Sequence, residues 1–249
     1  MPQAVRKYIK VVKTMKKSDL VRIVSSKTFY LTVFLVVLID AMTVMTEHIG
    51  AMSLNDWMGM GMTEGFGIIL QIGFAVPYSY AFCADIRNHF FRYQMIRASV
   101  QEYVKSKIVT CALGSGIAIV CGRMISLWIL AFRYPLEGNG IVLLVAFLTQ
   151  LFCEAAFYAG LAFVISTILP DIFLVAATPL IFYYVISNVF SLFPGIYYWI
   201  SFLRTYHFPV GRFQTIWGNV LYSLIFTLVC LWCMEKIAER TVRRRMENG

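Results

Sequence analysis

Ionisable residues inside long apolar stretches are the first candidates for chemistry in this sequence. Asp40, Arg123 and Glu154 each lie in a run of predominantly apolar residues. An ionisable side chain at the centre of a bilayer costs about 2.5 to 3.5 kcal/mol on insertion scales, so such a group is by default a functional candidate. The roles open to these residues are proton relay, contact with a substrate and formation of an ion pair that holds helices together.

Arg123 and Glu154 are predicted to pair. Counted from the helix ends assigned below to the outer face, Arg123 lies nine residues deep and Glu154 thirteen residues deep. At 1.5 Å per residue their depths differ by about 6 Å, which a long arginine side chain can bridge. The pair is either a structural link between consecutive antiparallel helices or a part of the mechanism. Asp40 lies near the outer end of its stretch, where its carboxylate either reaches the headgroups or serves the mechanism.

Motifs for enzymatic chemistry are missing from the sequence. No G-x-x-x-x-G-K-[ST] occurs, so the chain has no phosphate-binding loop with which to hydrolyse ATP. Ser115 in "GSG" has no histidine base beside it, because the three histidines lie outside the apolar stretches, and helix packing by small residues is the better interpretation. No H-E-x-x-H is present, and the "CLWC" pair lacks accompanying metal ligands. We predict that the chain is not an enzyme and binds neither a metal nor a cofactor.

The composition is that of a membrane protein. Of the 249 residues 59% are hydrophobic and 14% are charged, whereas soluble domains carry about 25% charged residues. A net charge of +9 would favour nucleic acid as the partner of a soluble protein. Here the basic residues flank apolar stretches, so the charge indicates membrane topology and no nucleic-acid partner is predicted.

Six apolar stretches are long enough to cross a bilayer as helices, which requires about 20 residues. They predict an all-α integral membrane protein with six transmembrane helices in one membrane domain, residues 28–234. The predicted spans are Thr28–Met45, Gly65–Ala84, Ile108–Phe132, Ile141–Leu169, Ile172–Leu192 and Ile216–Met234.

The distribution of basic residues predicts the orientation of these spans. Residues 1–27, 85–107 and 235–249 hold 18 of the 22 Lys and Arg residues, including all nine lysines. Because basic residues accumulate on the cytoplasmic side of membrane spans, these three segments are predicted to face the cytoplasm. The protein is then a multi-pass protein of the cell membrane with both termini inside.

Three segments outside the predicted spans have patterns of their own. In residues 1–27 apolar and basic residues recur at helical spacing, which predicts an amphipathic helix on the inner membrane surface; a basic tail that only fixes topology is the alternative. Residues 235–249 form a basic cytoplasmic tail. Ser187–Phe213 is rich in aromatic residues but interrupted by prolines and a glycine, which predicts short re-entrant or interfacial helices on the outer side.

The segment Asp85–Lys107, between predicted spans two and three, is charged, aromatic and helical in pattern. Three apolar residues bunch on one side of such a helix and three arginines lie around them: Phe90, Phe91, Met95, Arg87, Arg92 and Arg97. An apolar knob surrounded by charge suits a helix that binds in the groove of a partner protein. Anchoring of the two phenylalanines in the inner leaflet is the alternative interpretation.

Together these elements resemble the type-2 ABC transporter permeases, the exporter class that includes bacteriocin, lantibiotic-immunity and phenol-soluble-modulin-like peptide permeases. The resemblance covers nearly the whole chain. Within "FCADIRNHFFRYQMIRASVQEYVKSKIV" the chain has the family's acidic residue, its basic helix and an S-x-x-x-Y-x-x-x-K pattern at the start of span three, with Ser99, Tyr103 and Lys107 at those positions. An aromatic-lined sugar channel signature, as in the polysaccharide exporters of the class, is not evident.

The resemblance implies a half-transporter. Two permease chains would join two separate ABC ATPase chains and move an amphipathic or hydrophobic substrate, such as a peptide, outward by alternating access. The second permease would be another copy or a paralogue, and ATP and magnesium would bind to the ATPase. The helix in Asp85–Lys107 would then be the coupling helix, and its six residues named above would contact the ATPase.

Two other classes of protein fit parts of the pattern. A non-transporting membrane scaffold or sensor subunit would use the basic loop only as a solvated surface, and it would not purify with an ATPase. An ion-coupled secondary carrier built around Arg123 and Glu154 would transport without ATP, although internal repeats typical of such carriers are not evident in the sequence.

The predicted sidedness can be tested by cysteine labelling. Cysteines introduced at Asn55 and Asn139 should react with a membrane-impermeant reagent added outside intact cells, because both lie in predicted outer loops. Cysteines at Gln101 and Asn248 should react only after the cells are permeabilised, and the parent chain with its native cysteines is the control. Labelling at Gln101 from outside would overturn the topology.

Overall fold

The described part of the chain is helical. The computed structural model describes residues 21, 25–46, 54, 64–76, 78–79, 81–88, 99–132, 134–135, 138–189, 192–193, 195, 200, 203 and 215–247. Every regular element within these residues is a helix, and none is a strand. The helices are α1 (Lys27–Thr46), α2 (Glu64–Ala75), α3 (Ala81–Arg87), α4 (Val100–Ala131), α5 (Gly140–Ile168), α6 (Ile172–Asn188) and α7 (Ile216–Glu247).

Four of these helices are long and apolar enough to cross a membrane. They are α1 over Lys27–Met45, α4, α5 and α7. The shorter α6 has 17 residues and is also strongly apolar. An all-helical, membrane-embedded protein follows from these lengths and compositions, as the sequence predicts, while the count of six spans remains a prediction.

The predicted second span, Gly65–Ala84, is not one continuous helix. Helix α2 ends at Ala75 and α3 begins at Ala81. The intervening sequence contains Pro77, which lacks a backbone N–H and disfavours helical conformation in the residue before it. The continuous helix expected from the apolar composition is therefore wrong at this point.

The ends of two helices are fixed by polar side chains. Ser99 is the N-cap of α4, and its hydroxyl accepts a hydrogen bond from the Glu102 amide at 3.3 Å. Asp171 caps α6 by accepting from the amides of Phe173 and Leu174 at 2.8 and 3.1 Å. Such caps satisfy amides that have no partner within the helix. Helix α4 therefore begins eight residues before the predicted span, and α5 and α6 are joined by a tight turn.

Several predicted segments lie largely or wholly outside the described residues. Most of the predicted N-terminal helix, residues 1–27, is among them, as is most of the predicted outer segment Ser187–Phe213. The predicted basic tail, residues 235–249, is different, because residues 235–247 continue α7 without a break. Buried Ala238 and Val242 in this extension pack with the apolar residues around α3 and α4.

Glycines allow the long helices to approach closely. A Cβ placed on Gly122 of α4 would lie 2.7 Å from Cβ of Val36 on α1. A Cβ on Gly160 of α5 would lie 2.6 Å from Leu231 on α7, and one on Gly116 would meet the ring of Phe152. Small residues at such contacts are the usual means of packing helices in a membrane, where van der Waals contact replaces the hydrophobic effect.

The contact between α1 and α4 should be sensitive to one added methyl group. Gly122→Ala should lower the free energy of unfolding by about 1 to 3 kcal/mol, because its Cβ would meet Val36 and lie 3.1 Å from the Val33 carbonyl oxygen. Gly73→Ala is the matched control, since its nearest neighbours are 3.8 Å away and alanine favours a helix. Thermal unfolding in detergent measures both. Equal stability of the two variants would contradict the close approach.

Candidate functional site

A buried group of four polar residues joins α3, α4 and the break in predicted span two. We call Tyr78, Asp85, Tyr103 and Lys107 the inner polar cluster. Asp85 Oδ2 lies 3.2 Å from Lys107 Nζ and accepts a hydrogen bond from the Tyr103 hydroxyl at 2.9 Å. Lys107 Nζ also donates to the Tyr78 hydroxyl oxygen at 3.1 Å. The charged side chains are only 1% and 2% exposed, so this pair is shielded from solvent.

The geometry of α4 explains why this cluster forms. Tyr103 and Lys107 are four residues apart, so they lie on the same face of the helix, opposite α3. The Lys107 ammonium lies 5.4 Å from the centre of the Tyr78 ring and 5.6 Å from that of Tyr103. A cation facing aromatic rings gains stability when it is desolvated. The lysine is therefore held by a carboxylate, a hydroxyl and two rings at once.

The break between α2 and α3 is stabilised by side chains from neighbouring helices. Ser115 donates to the Phe74 carbonyl oxygen at 2.6 Å, and the Cys111 thiol contacts the Tyr78 carbonyl oxygen at 3.7 Å. Ser79 donates to the Ala159 carbonyl oxygen of α5 at 3.1 Å. Irregular backbone at membrane depth is tolerated only where protein or water satisfies its polar groups. Ser115, interpreted from sequence as a small packing residue, thus also supports the broken helix.

A second buried ion pair joins α1 and α4. Arg123 Nη1 donates to Asp40 Oδ1 at 2.5 Å, and both side chains are almost fully buried. The Arg123 guanidinium also lies 5.9 Å from the centre of the Phe147 ring. Asp40 is therefore not directed to the headgroups, which was one of its two predicted roles.

Asp40 is a hydrogen-bonded partner of Arg123 that the sequence analysis did not predict. The close approach of α1 at Gly122 explains this contact, because Gly122 precedes Arg123 and its contact, Val36, lies one turn before Asp40. Glu154 Oε1 accepts a hydrogen bond from Gln71 Nε2 of α2 at 3.3 Å, and Glu154 also interacts electrostatically with Arg123. The predicted pairing of Arg123 with Glu154 stays a prediction. Buried polar residues thus connect α1, α2, α4 and α5.

The predicted coupling residues are only partly described. Arg87 is exposed at the C-terminal end of α3. The other five, Phe90, Phe91, Arg92, Met95 and Arg97, lie outside the described residues. The two ends of their segment are described, and each is tied to the inner polar cluster, through Asp85 on α3 and through Tyr103 and Lys107 on α4.

The sequence analysis did not identify Gln71 or Tyr78 as site residues. Gln71 is a polar residue within the apolar stretch "GIILQIGFA", and Tyr78 directly follows Pro77. The sequence could have indicated both positions: a polar side chain such as Gln71 in an apolar stretch needs a partner, and the proline before Tyr78 indicates a break in the helix. Which groups they contact depends on helix rotation, which the pattern does not specify.

The described residues do not form an evident metal centre. No group of three or more His, Cys, Asp or Glu side chains converges among them, and the six cysteines are free.

Comparison with protein-family models, curated proteins and solved structures finds no match to this chain. The two ion pairs can hold α3 and α1 in fixed positions against α4, because separating either pair would leave an unpaired charge inside the protein.

The identity of the Arg123 partner can be tested by a mutant cycle. Arg123→Met alone should lower the free energy of unfolding by about 3 to 5 kcal/mol, since it leaves the Asp40 carboxylate buried without its counter-charge. Adding Asp40→Leu should recover most of this loss, whereas adding Glu154→Leu should recover less, because Glu154 is also hydrogen-bonded to Gln71. Thermal unfolding of the purified variants measures each step. Better recovery with Glu154→Leu would contradict the pairing.

Proposed function

We propose that the chain is the transmembrane permease subunit of an ATP-driven ABC exporter. It would move an amphipathic or hydrophobic substrate outward, with a peptide as the favoured class, and a separate ATPase subunit would supply the energy. The single observation that carries the proposal is the inner polar cluster. Tyr103 and Lys107, two of the residues on which the sequence resemblance rests, both bond directly to Asp85, the acidic residue of the same motif.

In this proposal the chain crosses the membrane six times. Helices α1, α4, α5, α6 and α7 are one span each, and α2 with α3 forms the broken second span. The termini and the segment between α3 and α4 face the cytoplasm of a plasma membrane, in line with the distribution of basic residues. A second permease copy or paralogue and membrane lipid would cover the outward apolar surfaces of α1 and α7.

The inner polar cluster would transmit movement from the ATPase to the spans. The segment between Arg87 and Ser99 would contain the coupling helix, and its flanking helices are tied by the Asp85–Lys107 ion pair. Force applied to this segment would therefore move α3 and α4 together. The break before α3 would allow this movement without bending α2, since hinges are commonly a few residues at the ends of helices. ATP and magnesium would bind only to the ATPase.

An ion-coupled secondary carrier is a second candidate. The observation in its favour is the broken second span next to buried polar residues, because carriers often build ion and substrate sites from discontinuous helices. The two candidates differ in their energy source. Reconstituted transport that requires a co-purified ATPase and ATP supports the exporter, and transport driven by an ion gradient without ATP supports the carrier.

The coupling assignment can be tested with Phe90→Ala combined with Phe91→Ala. If this pair anchors the ATPase, the double variant should insert normally but bind the ATPase at least about thirtyfold more weakly, because an interface anchor is commonly worth 2 kcal/mol or more. Pull-down from native membranes identifies the ATPase, and titration of the purified subunit measures its affinity.

Asn88→Ala is the control, since Asn88 is exposed in the same segment and is not one of the six predicted contact residues. It should retain normal ATPase affinity and substrate-stimulated hydrolysis. Unchanged affinity in the phenylalanine double variant would contradict the coupling role and favour the lipid-anchor interpretation. Failure to recover any ATPase with the parent chain would count against the exporter itself.

A further inference from the structure

A crevice opens between α1 and α4 next to the Asp40–Arg123 pair. It has a volume of about 340 Å³, which is within the range of small-molecule sites. Its walls are mainly aliphatic and include Val37, Ala41 and Ile129, and its polar lining residues are Asp40 and Ser126. Met45 and Ile129 at the crevice are 78% and 52% exposed, so it opens sideways from the helices and not toward the interior.

The closed end of the crevice holds an incompletely bonded carboxylate. Asp40 Oδ1 bonds to Arg123, but Asp40 Oδ2 is buried and has no hydrogen-bond partner among the described residues. Ser126 is the neighbouring hydroxyl: it donates a hydrogen bond to the Gly122 carbonyl oxygen at 3.2 Å and also stabilises the Asp40 carboxylate from nearby. A buried carboxylate oxygen without a hydrogen bond is strongly unfavourable, so this position favours an added donor.

We propose that this crevice binds an amphipathic molecule with an aliphatic body and an uncharged hydrogen-bond donor, a hydroxyl group in the simplest case. The hydroxyl would donate to Asp40 Oδ2, and the aliphatic part would lie along Val37, Ala41 and Ile129. An uncharged donor fits better than an ammonium group, because Arg123 already balances the Asp40 charge and a further cation would be buried without compensation. Since Oδ2 is closed off from water, binding includes a small opening at this end of the crevice.

The test uses the full chain in lipid nanodiscs and a ten-carbon primary alcohol with a photoreactive group on its chain. The matching methyl ether is the chemical control, because it has the same body but cannot donate a hydrogen bond. Labelled positions are mapped by mass spectrometry. We expect saturable labelling of residues along the crevice, at least fivefold stronger with the alcohol than with the ether. Equal labelling by the two probes would overturn the proposal and leave a crevice filled only by lipid chains.

Two variants link the labelling to the crevice. Ala41→Phe should reduce labelling by the alcohol at least fivefold, because Ala41 lines the crevice and is exposed enough to accept a larger side chain without repacking the core. Leu38→Phe is the matched control on the same helix, since Leu38 is 46% exposed and does not line the crevice. Undiminished labelling of Ala41→Phe would overturn the site. The outcome does not depend on whether the chain belongs to an exporter.

The same assay distinguishes two sources of the hydroxyl group. Nanodiscs that contain phosphatidylglycerol present a lipid with free hydroxyls, and nanodiscs of phosphatidylcholine alone do not. Suppression of alcohol labelling by phosphatidylglycerol would support the site and assign it to a membrane lipid. Equal labelling in both nanodiscs, with the alcohol still preferred over the ether, would support the site and assign it to a molecule other than a bilayer lipid.

Discussion

A charge buried between helices needs an opposite charge or several hydrogen bonds, and this requirement connects most of the described structure. The Lys107 side chain is only 1% exposed, and its ammonium group is surrounded by the Asp85 carboxylate and the aromatic rings of Tyr78 and Tyr103. Without these groups its ammonium would have to lose its charge or reach water, because an unpaired ion is very unfavourable in an apolar interior. The position of α3 against α4 follows from this need, and so does the location of the break before α3, since Tyr78 in the break also accepts from the lysine.

Helix α4 carries the two cations that are buried among the described residues, Lys107 and Arg123, and their spacing determines which neighbouring helix each one contacts. Lys107 and Arg123 are sixteen residues apart, which corresponds to about 24 Å along the helix and places them on nearly opposite faces. Lys107 therefore binds α3 while Arg123 binds α1. Gly122 lets α1 approach closely enough for Asp40 to reach Arg123, so the ion pair and the small residue beside it depend on each other. One helix thus holds two neighbours at different depths.

The sequence was sufficient to predict which stretches form long apolar helices, but not how each helix is rotated about its own axis. Apolar length was enough to predict the spans that became α1, α4, α5 and α7, because the bilayer sets that length whatever the neighbours are. Depth along each helix was enough to identify Asp40, Arg123 and Glu154 as buried charges, but depth does not say which face of a helix meets which neighbour. The Asp40–Arg123 pair was missed for this reason. The break in predicted span two was signalled by Pro77, but its apolar surroundings suggested a continuous helix.

The polar bonds also account for how the described helices are held together. The Asp40–Arg123 and Asp85–Lys107 pairs join α4 to α1 and α3, and Gln71–Glu154 and Ser79–Ala159 join α5 to α2 and to the break. Separating either ion pair would cost several kcal/mol, so α1, α3 and α4 are expected to stay together in any conformational change. Helix α7 is held against α5 by different means: Gly160 meets Leu231 and Met234 in close contact, and Arg245 Nη2 donates a hydrogen bond to the Ile168 carbonyl oxygen at 2.7 Å. Close packing and a charge-assisted hydrogen bond therefore do between α5 and α7 what buried ion pairs do around α4.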